Sequence, residues 1–497
     1  MSDLQAPLIN WQIKAGKSVT GLEAHRAIII GEVEQKTIPT PNKTLIRDIR
    51  PSDAIDLLGS QSIGYAAYRR FRKYNEVTPL DFMALSVSGT TESSKCTIPI
   101  TGTANEDGVL VIHMADDEYV IRVNIAQGDT SAKVATKIEA ATDASPDPIS
   151  STKDGTTKIV FDLQHARGTT VNGCHLTVQN RIAGIRVPDG IFSGGTGTFD
   201  ISGALASLDQ TRYHTVIYDG AFSTSEMDGY LESRFNSTGA VMGGVGVTML
   251  LGNLSILNIV GHPMNSRCVV NLGNPDEMAV TAIPLLAAAE FGAKRALRLT
   301  DGAVLGDIVL DANEAFGGIS KASLPYHNTP MSYKASKNKL TVAQAKQLTD
   351  VGMSLLVPNG QQTVLGSIVT SYKRDASGVS NKAFKYLNSV DTSLAIQEYM
   401  YNNCQKEFGQ TRATGGGLVA GVSMTNALSV KSYIIGLYDD LVDMALAQGG
   451  KDAKAVFIRD LTVTLDAETG TYRVFAPIAI VSQLRGIDGI ISISYNF

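Results

Sequence analysis

The sequence predicts a multi-domain α/β (α+β) fold: a central α/β core, a β-rich insertion, and extended strand arms towards both ends. Three observations predict it. From about Gly203 onward, short β-branched runs alternate with segments whose apolar residues recur at helical spacing. Between residues 89 and 196 that spacing almost disappears, and KCTIPITG, GVLVIHM, EYVIRVNI, TKIVFDL and CHLTVQN succeed one another between Gly, Asn and Asp turns. At both margins the apolar period is two: Ile9, Trp11 and Ile13 near the start, and Ile487, Ile491, Ile493, Tyr495 and Phe497 near the end. At 497 residues the chain exceeds what one hydrophobic core organises.

Taken in order, residues 1–20 read as an N-terminal arm holding the only tryptophan, with Pro7 suited to an entering or edge segment. Residues 21–88 form the first part of the core, with RAIIIGEV as a buried strand and a helix from about Ser52 to Tyr74. In that helix YRRFRKY, Tyr68 to Tyr74, is expected to turn its basic residues to solvent. Residues 89–196 are the insertion, interrupted by one helix near Ser131–Ala141 and closed by the glycine-rich GIFSGGTGTFD.

Residues 197–370 are α/β. YHTVIYDG, GVTMLLG and CVVNL are strands, and STSE (Ser223–Glu226) and TVAQ (Thr341–Gln344) are capping boxes. GNPDEMAV is expected to open a helix, with Asn274 as N-cap and Pro275 in its first turn. SLLVPNGQQTVLG reads as two strands around an Asn-Gly turn. Residues 371–484 hold helices at Asp391–Phe408 and Ser429–Gln448, then the hairpin LTVTLDAETGTYRVFAPI and a short helix near Pro477–Arg485. In the second of those helices Ile434, Leu437, Tyr438, Leu441 and Ala445 form the buried stripe, with Gly449 as the stop. Residues 485–497 are the C-terminal strand arm.

Composition excludes several classes. Lys plus Arg is 43 against 48 Asp plus Glu, a net charge of −5, so no nucleic-acid partner is expected. Cys96, Cys174, Cys268 and Cys404 stand far apart, without the spacing of a metal site, and are expected to be free thiols. The start lacks a basic region followed by an apolar core, so no signal peptide is expected. VGVTMLLGNLSILNIVG is broken by Asn253 and Asn258 and reads as a buried strand and helix, so no membrane insertion is expected.

The search for chemistry is equally negative, with no catalytic, cofactor-binding or metal residue assigned. AGKS (Ala15–Ser18) has Trp11 where a phosphate-binding loop needs glycine. GGVGVT (Gly243–Thr248) lacks the third glycine of a dinucleotide site and opens a strand, so close backbone packing is its reading. GVSMT (Gly421–Thr425) departs from the nucleophile elbow at its last residue, and SKNK (Ser336–Lys339) has no companion motif. Cys174 and His175 are adjacent, hence on opposite faces of a strand.

What remains are the two arms. A strand donated to a neighbour's open sheet edge gains main-chain hydrogen bonds and side-chain pockets, and head-to-tail donation builds rings or helical tubes. Ile9, Trp11 and Ile13 are therefore candidate contacts of one arm, and Ile491, Ile493, Tyr495 and Phe497 of the other.

Over nearly its whole length the chain resembles contractile tail sheath proteins of bacteriophages, in particular those of Mu-like phages. The resemblance is carried by the joint order of TGTANEDGVLVIHMADDEYVIRVNIAQGDTSAKVATKI, YHTVIYDGAFSTSEMDGYLESRF, SIVTSYKRDASGVSNKAFKYLNSVDTSLAIQEYM and PIAIVSQLRGIDGIISISYNF. It implies hexameric rings stacked helically around a tail tube, with the insertion facing outward and the C-terminal part near the axis. Its implied partners are further copies, the tail tube protein, and baseplate and tail terminator proteins. The implied location is the virion, after assembly in the host cytoplasm, and no cofactor is implied. Gln483 and Arg485 are candidate tube contacts. A headless contractile injection device would use the same subunit; a hydrolase using Ser423 and a surface adhesin are the readings from other classes.

Overall fold

The computed structural model describes residues 25–33, 44–85, 87–114, 118–145, 149–167, 170–208, 211–220, 224–235, 243–278, 280–299, 326–334 and 338–482. Helices and sheets mix throughout, in an α+β arrangement of several sheets. The chain divides into a larger unit, His25–Leu297 with Tyr326–Val390, and a smaller one containing the residues from Asp391 onward.

The larger unit is built on a nine-stranded sheet. Its middle is parallel, in the spatial order Leu80–Leu85, Ala27–Glu32, Thr215–Tyr218, Val245–Gly252, Val269–Pro275, Met353–Asn359. Strands buried on both faces read as continuous apolar runs, and AIIIGE is buried at all six positions. Antiparallel strands finish the edges: Leu45–Ile46 on one side, Gln362–Leu365 and Pro330–Lys334 on the other. The Asn-Gly turn joins Met353–Asn359 to Gln362–Leu365, with Gly360 at φ 61. The capping box of Thr341 and Gln344 opens the helix Val342–Asp350, as its sequence requires.

The β-rich segment leaves the central sheet after Leu80–Leu85 and closes with Thr196–Phe199, paired to Val87–Pro99, before the central sheet resumes at Thr215–Tyr218. It forms two four-stranded sheets with the helix Ser131–Asp143 packed beside them. Leu110, Ile112, Ile121, Val134, Ile138 and Phe161 are fully or almost fully buried. Gly102 and Gly184 have φ of 92 and 83, and a Cβ on either would lie 2.1–2.2 Å from the other segment's backbone carbonyl. Only glycine fits that crossing.

Three sequence expectations are corrected in the larger unit. The stretch Ser52–Tyr74 is two helices, Ala54–Leu58 and Ile63–Tyr74, parted by Gly59 at φ 80 and restarted by Ser62 as N-cap. GNPDEMAV does not open a helix: Asn274 and Pro275 complete the strand paired with Val245–Gly252, and a single 3₁₀ turn, Asp276–Met278, follows. Parallel pairing there overrides the local capping signal. In YRRFRKY, Arg70 is not a solvated residue but 4% exposed. Its Nη1 lies 3.2 Å from Glu290 Oε2 and its Nη2 2.9 Å from Glu118 Oε2. Glu290, itself fully buried, also binds Lys294 at 2.6 Å and accepts from Ser332 N at 2.8 Å.

A second polar cluster lies at the amino ends of the central strands. Asp81, fully buried, accepts from Arg26 (2.7 Å), Tyr213 Oη (2.8 Å) and Asp48 N (2.9 Å). Beside it the rings of His25 and His214 stack at 4.1 Å. Burial, then the charges of Arg295 and Arg212, lower the His25 pKa to about 3; burial, then the charges of His25, Arg212 and Arg295, lower His214 well below its usual value. Both histidines therefore bind protons in the unfolded chain before the folded one. Their stabilising contribution is complete above pH ~6.5 and is lost progressively as pH falls below it, for His25 down to about 3. Urea denaturation of the larger unit's transition between pH 7 and 4 should show this decline; a flat profile would contradict the buried neutral pair.

Candidate functional site

The smaller unit is organised by the helices Leu387–Phe408 (from Asp391 onward), Ala427–Asp443 and Lys451–Asp460. Ile434, Leu437, Tyr438 and Leu441 form the buried stripe with Met444, Leu446 and Phe457, and the rings of Tyr438 and Phe457 stack at 4.1 Å. The middle helix ends at Asp443, earlier than the expected stop at Gly449. Ala445, expected in the stripe, is exposed at φ 55, and Leu446 N–H caps the Leu441 carbonyl at 2.9 Å. A left-handed residue there swings Leu446 into the core, which burying Ala445 could not achieve.

On this core lies the hairpin Thr462–Asp466 and Thr471–Phe475, paired Val463 to Val474 and Leu465 to Tyr472. Val463 and Tyr472 pack against the helical core. Lys431 Nζ donates to the Leu461 carbonyl (2.8 Å), and Tyr472 Oη bonds the carbonyls of Thr425 (2.8 Å) and Thr414 (3.0 Å). Arg473 and Asp466 pair at 3.0 Å across the turn.

Two features make this hairpin a candidate docking site. It is a sheet of two strands, and neither long edge has a strand partner among the described residues. Unpaired edges expose a row of N–H and C=O groups, a ready template for a third strand. Its outer face also carries an aromatic, Phe475, 63% exposed, and on the core-facing side Val474 is still 42% exposed. Beside it the loop closed by the Arg412–Ala413 and Met424–Thr425 pair exposes Leu418, Val419 and Val422. A contiguous apolar surface marks an interaction site more often than a scattered one does.

From the hairpin the chain runs on without regular structure, not as the expected helix, through Pro477–Val481, apart from a single bridge between Ala447 and Ile480. Gln448 N donates to Ala479 O (2.8 Å) and Val481 N to Leu446 O (3.0 Å), pinning this segment beside the helical core. Pro477 biases Ala476 away from helix, and those two bonds take the place of a helical ladder. The predicted tube contacts Gln483 and Arg485, and the arm contacts Ile9, Trp11, Ile13, Ile491, Ile493, Tyr495 and Phe497, all lie outside the described residues. What sequence reasoning missed is that this hairpin has no further strand beside it among the described residues. LTVTLD and TYRVF were legible as a hairpin; the signal of a site was Phe475, an aromatic on the face shared with Thr462, Thr464 and Arg473.

The weak motifs resolve into packing. A Cβ on Gly244 would lie 1.8 Å from Tyr213 O, so GGVGVT is a close backbone approach. Ser423 sits in the exposed loop and donates to Gln410 O at 3.3 Å. AGKS and Ser336 lie outside the described residues. Cys174 is buried, and burial followed by the charge of Asp219 raises its pKa; His175 Nε2 is 3.9 Å from Asp276 Oδ1. Through Gly173, Cys174 and His175 the insertion rests on the carboxyl ends of the central strands, the edge where open α/β sheets hold ligands. Among the described residues no cluster of three or more His, Cys, Asp or Glu is placed to hold a metal, and no helix is long and apolar enough to cross a membrane.

No protein-family model matches this chain, and no curated protein matches it. Among solved structures it is similar to the sheath tail protein of Desulfitobacterium hafniense, at 12% identity and TM-score 0.46, covering 93% of this chain and 95% of that one. It is similar to the helical sheath of the anti-feeding prophage in the contracted state, at 10% identity and TM-score 0.45 over all of both chains. The contracted sheath complex of the PVC extracellular contractile injection system is similar at 9% identity and TM-score 0.45, with 96% of this chain and 94% of that one covered.

Proposed function

We propose that this chain is the structural subunit of a contractile phage tail sheath, polymerising as stacked hexameric rings around a tail tube. Contraction of that lattice drives the tube through the host envelope. The observation that carries the reading is the open-edged hairpin Thr462–Phe475, held on the unit from which the alternating segment Ile487–Phe497 departs. One unit thus offers a strand acceptor and the root of a strand donor. A donor and an acceptor on different patches of one surface give a heterologous, propagating contact. Further copies, a tube protein, and baseplate and terminator proteins are the partners this function requires. The energy is that of a metastable extended lattice, released when the lattice rearranges. Strand ladders suit such a machine, since many bonds must break together while the linkers between them bend.

Cross-linking tests the exchange. In the predicted arm Ser492, Ser494 and Asn496 lie on the polar face, as Thr464 and Arg473 do on the exposed face of the hairpin. Chains combining Ser494→Cys with Thr464→Cys or Arg473→Cys should give a ladder of covalent oligomers on oxidation. Oxidation that yields only an internally closed monomer would show that the arm pairs within its own chain.

A further inference from the structure

The helix Leu254–Gly261 is apolar on its outer side as well as its inner one. Leu257 packs inward with Leu348 and Met353, while Ile256, Ile259 and Val260 are 47%, 69% and 37% exposed. No Asp, Glu, Lys or Arg occurs in the sequence between Phe235 and Arg267. A surface helix normally turns charged residues outward, and one that is apolar all round is normally covered. With the helix Val342–Asp350 it borders an open groove of about 790 Å³, lined in part by Ile259, Pro263, Ala343 and Val351. Lys346, the cation on that lining, is paired with Asp350 at 2.6 Å.

Charge decides what fits such a groove. Elsewhere on the described residues an exposed large apolar side chain has an acid or base within three positions, as Ile55 has Asp56, Val77 has Glu76 and Phe475 has Arg473. The exceptions outside the groove are Leu418, Val419 and Val422. All three stand on the loop closed by the Arg412–Ala413 and Met424–Thr425 pair, and no charged residue occurs between Arg412 and Lys431. Every residue from Gly415 to Ser423 is exposed, and a Cβ added to Gly417 or Gly421 would meet nothing within 4 Å. The chain therefore carries a charge-free projection and a charge-poor recess. Bringing them together strands no unpaired charge away from water, the condition met at the centre of protein interfaces.

We infer that the loop Gly415–Ser423 of one copy seats in the groove between Leu254–Gly261 and Val342–Asp350 of a second copy. Both patches are exposed within a single chain, so the contact joins copies. The patches differ, so the contact is heterologous and propagates from copy to copy. The inference rests on the reading of the chain as a self-assembling subunit and adds a side-chain contact to the proposed strand exchange.

Ala343→Cys marks the groove and Ala420→Cys the loop. An equal mixture of the two full-length variants, mildly oxidised, should give a disulfide-linked dimer that neither variant gives alone. Ile259→Asp and Val419→Asp should each weaken self-association about 10–100-fold by sedimentation, with the unfolding temperature unchanged. Combined, they should weaken it little more than either alone, because both break the same contact. Polymers that form normally yet fail to cross-link, or that tolerate both aspartates, would overturn the inference and leave the sheath reading standing. Weakening by Ile259→Asp alone would give the groove another occupant, such as a tube protein, and would overturn it as well. A full chain that stays strictly monomeric would overturn both.

Discussion

Removing residues 490–497 should leave a folded subunit that no longer polymerises. The deletion takes away Ile491, Ile493, Tyr495 and Phe497, the apolar side of the predicted arm, with the backbone groups that would extend the Thr462–Phe475 hairpin. Burying four such side chains in a neighbour is worth on the order of 5 kcal/mol or more per junction, even after the arm's ordering cost. That is about 10³–10⁴ in association constant, enough to empty a polymer at micromolar concentration. Circular dichroism and thermal unfolding should match the full chain, while sedimentation should show loss of the fast species. Unfolding of the truncated chain would place the strand in its own core, and unchanged polymerisation would remove the arm from the interface. The single substitution Ile493→Asp, which keeps the backbone, should weaken association in the same direction.

Glu290→Ala should be among the most destabilising single changes in the larger unit. It leaves Arg70 and Lys294, 4% and 11% exposed, as cations facing each other without their common carboxylate. Removing one partner of a buried ion pair costs about 3–5 kcal/mol. In a unit this large the unfolding temperature should fall by roughly 4–7 °C. Glu290→Gln keeps an acceptor for Ser332 N–H and should cost less. Because Arg70 also holds Glu118, the damage should reach the insertion, seen as faster proteolysis between residues 89 and 196. The exposed pair Lys346–Asp350 is the control: Lys346→Ala should leave the unfolding temperature unchanged. Equal losses at the two sites would refute burial as the reason.

Elements whose signals are local were legible in the sequence. The Thr341–Gln344 capping box, the Asn359–Gly360 turn and the apolar run Ala27–Ile30 all specify their conformation within a few residues, and long-range packing agrees with them. The misreadings arise where a distant partner decides. Asn274 looks like an N-cap, but seven register pairs with Val245–Gly252 hold it in a strand, and its side chain donates to Val280 O. Arg70 looks solvated because its partners Glu118 and Glu290 are 48 and 220 residues away. The end of the helix at Asp443 depends on Leu446 entering a core whose other walls come from Phe457 and Leu461. The candidate site divides in the same way. The proposed donor strands show as period-two text, whereas the proposed acceptor is defined by edges without a strand partner among the described residues, and no spacing rule encodes that.

Negative-stain electron microscopy of the purified full chain, at rising concentration, tests the central claim most directly. The sheath reading predicts hollow rings that stack into long tubes of uniform width. A protein that remains strictly monomeric at high concentration would contradict it.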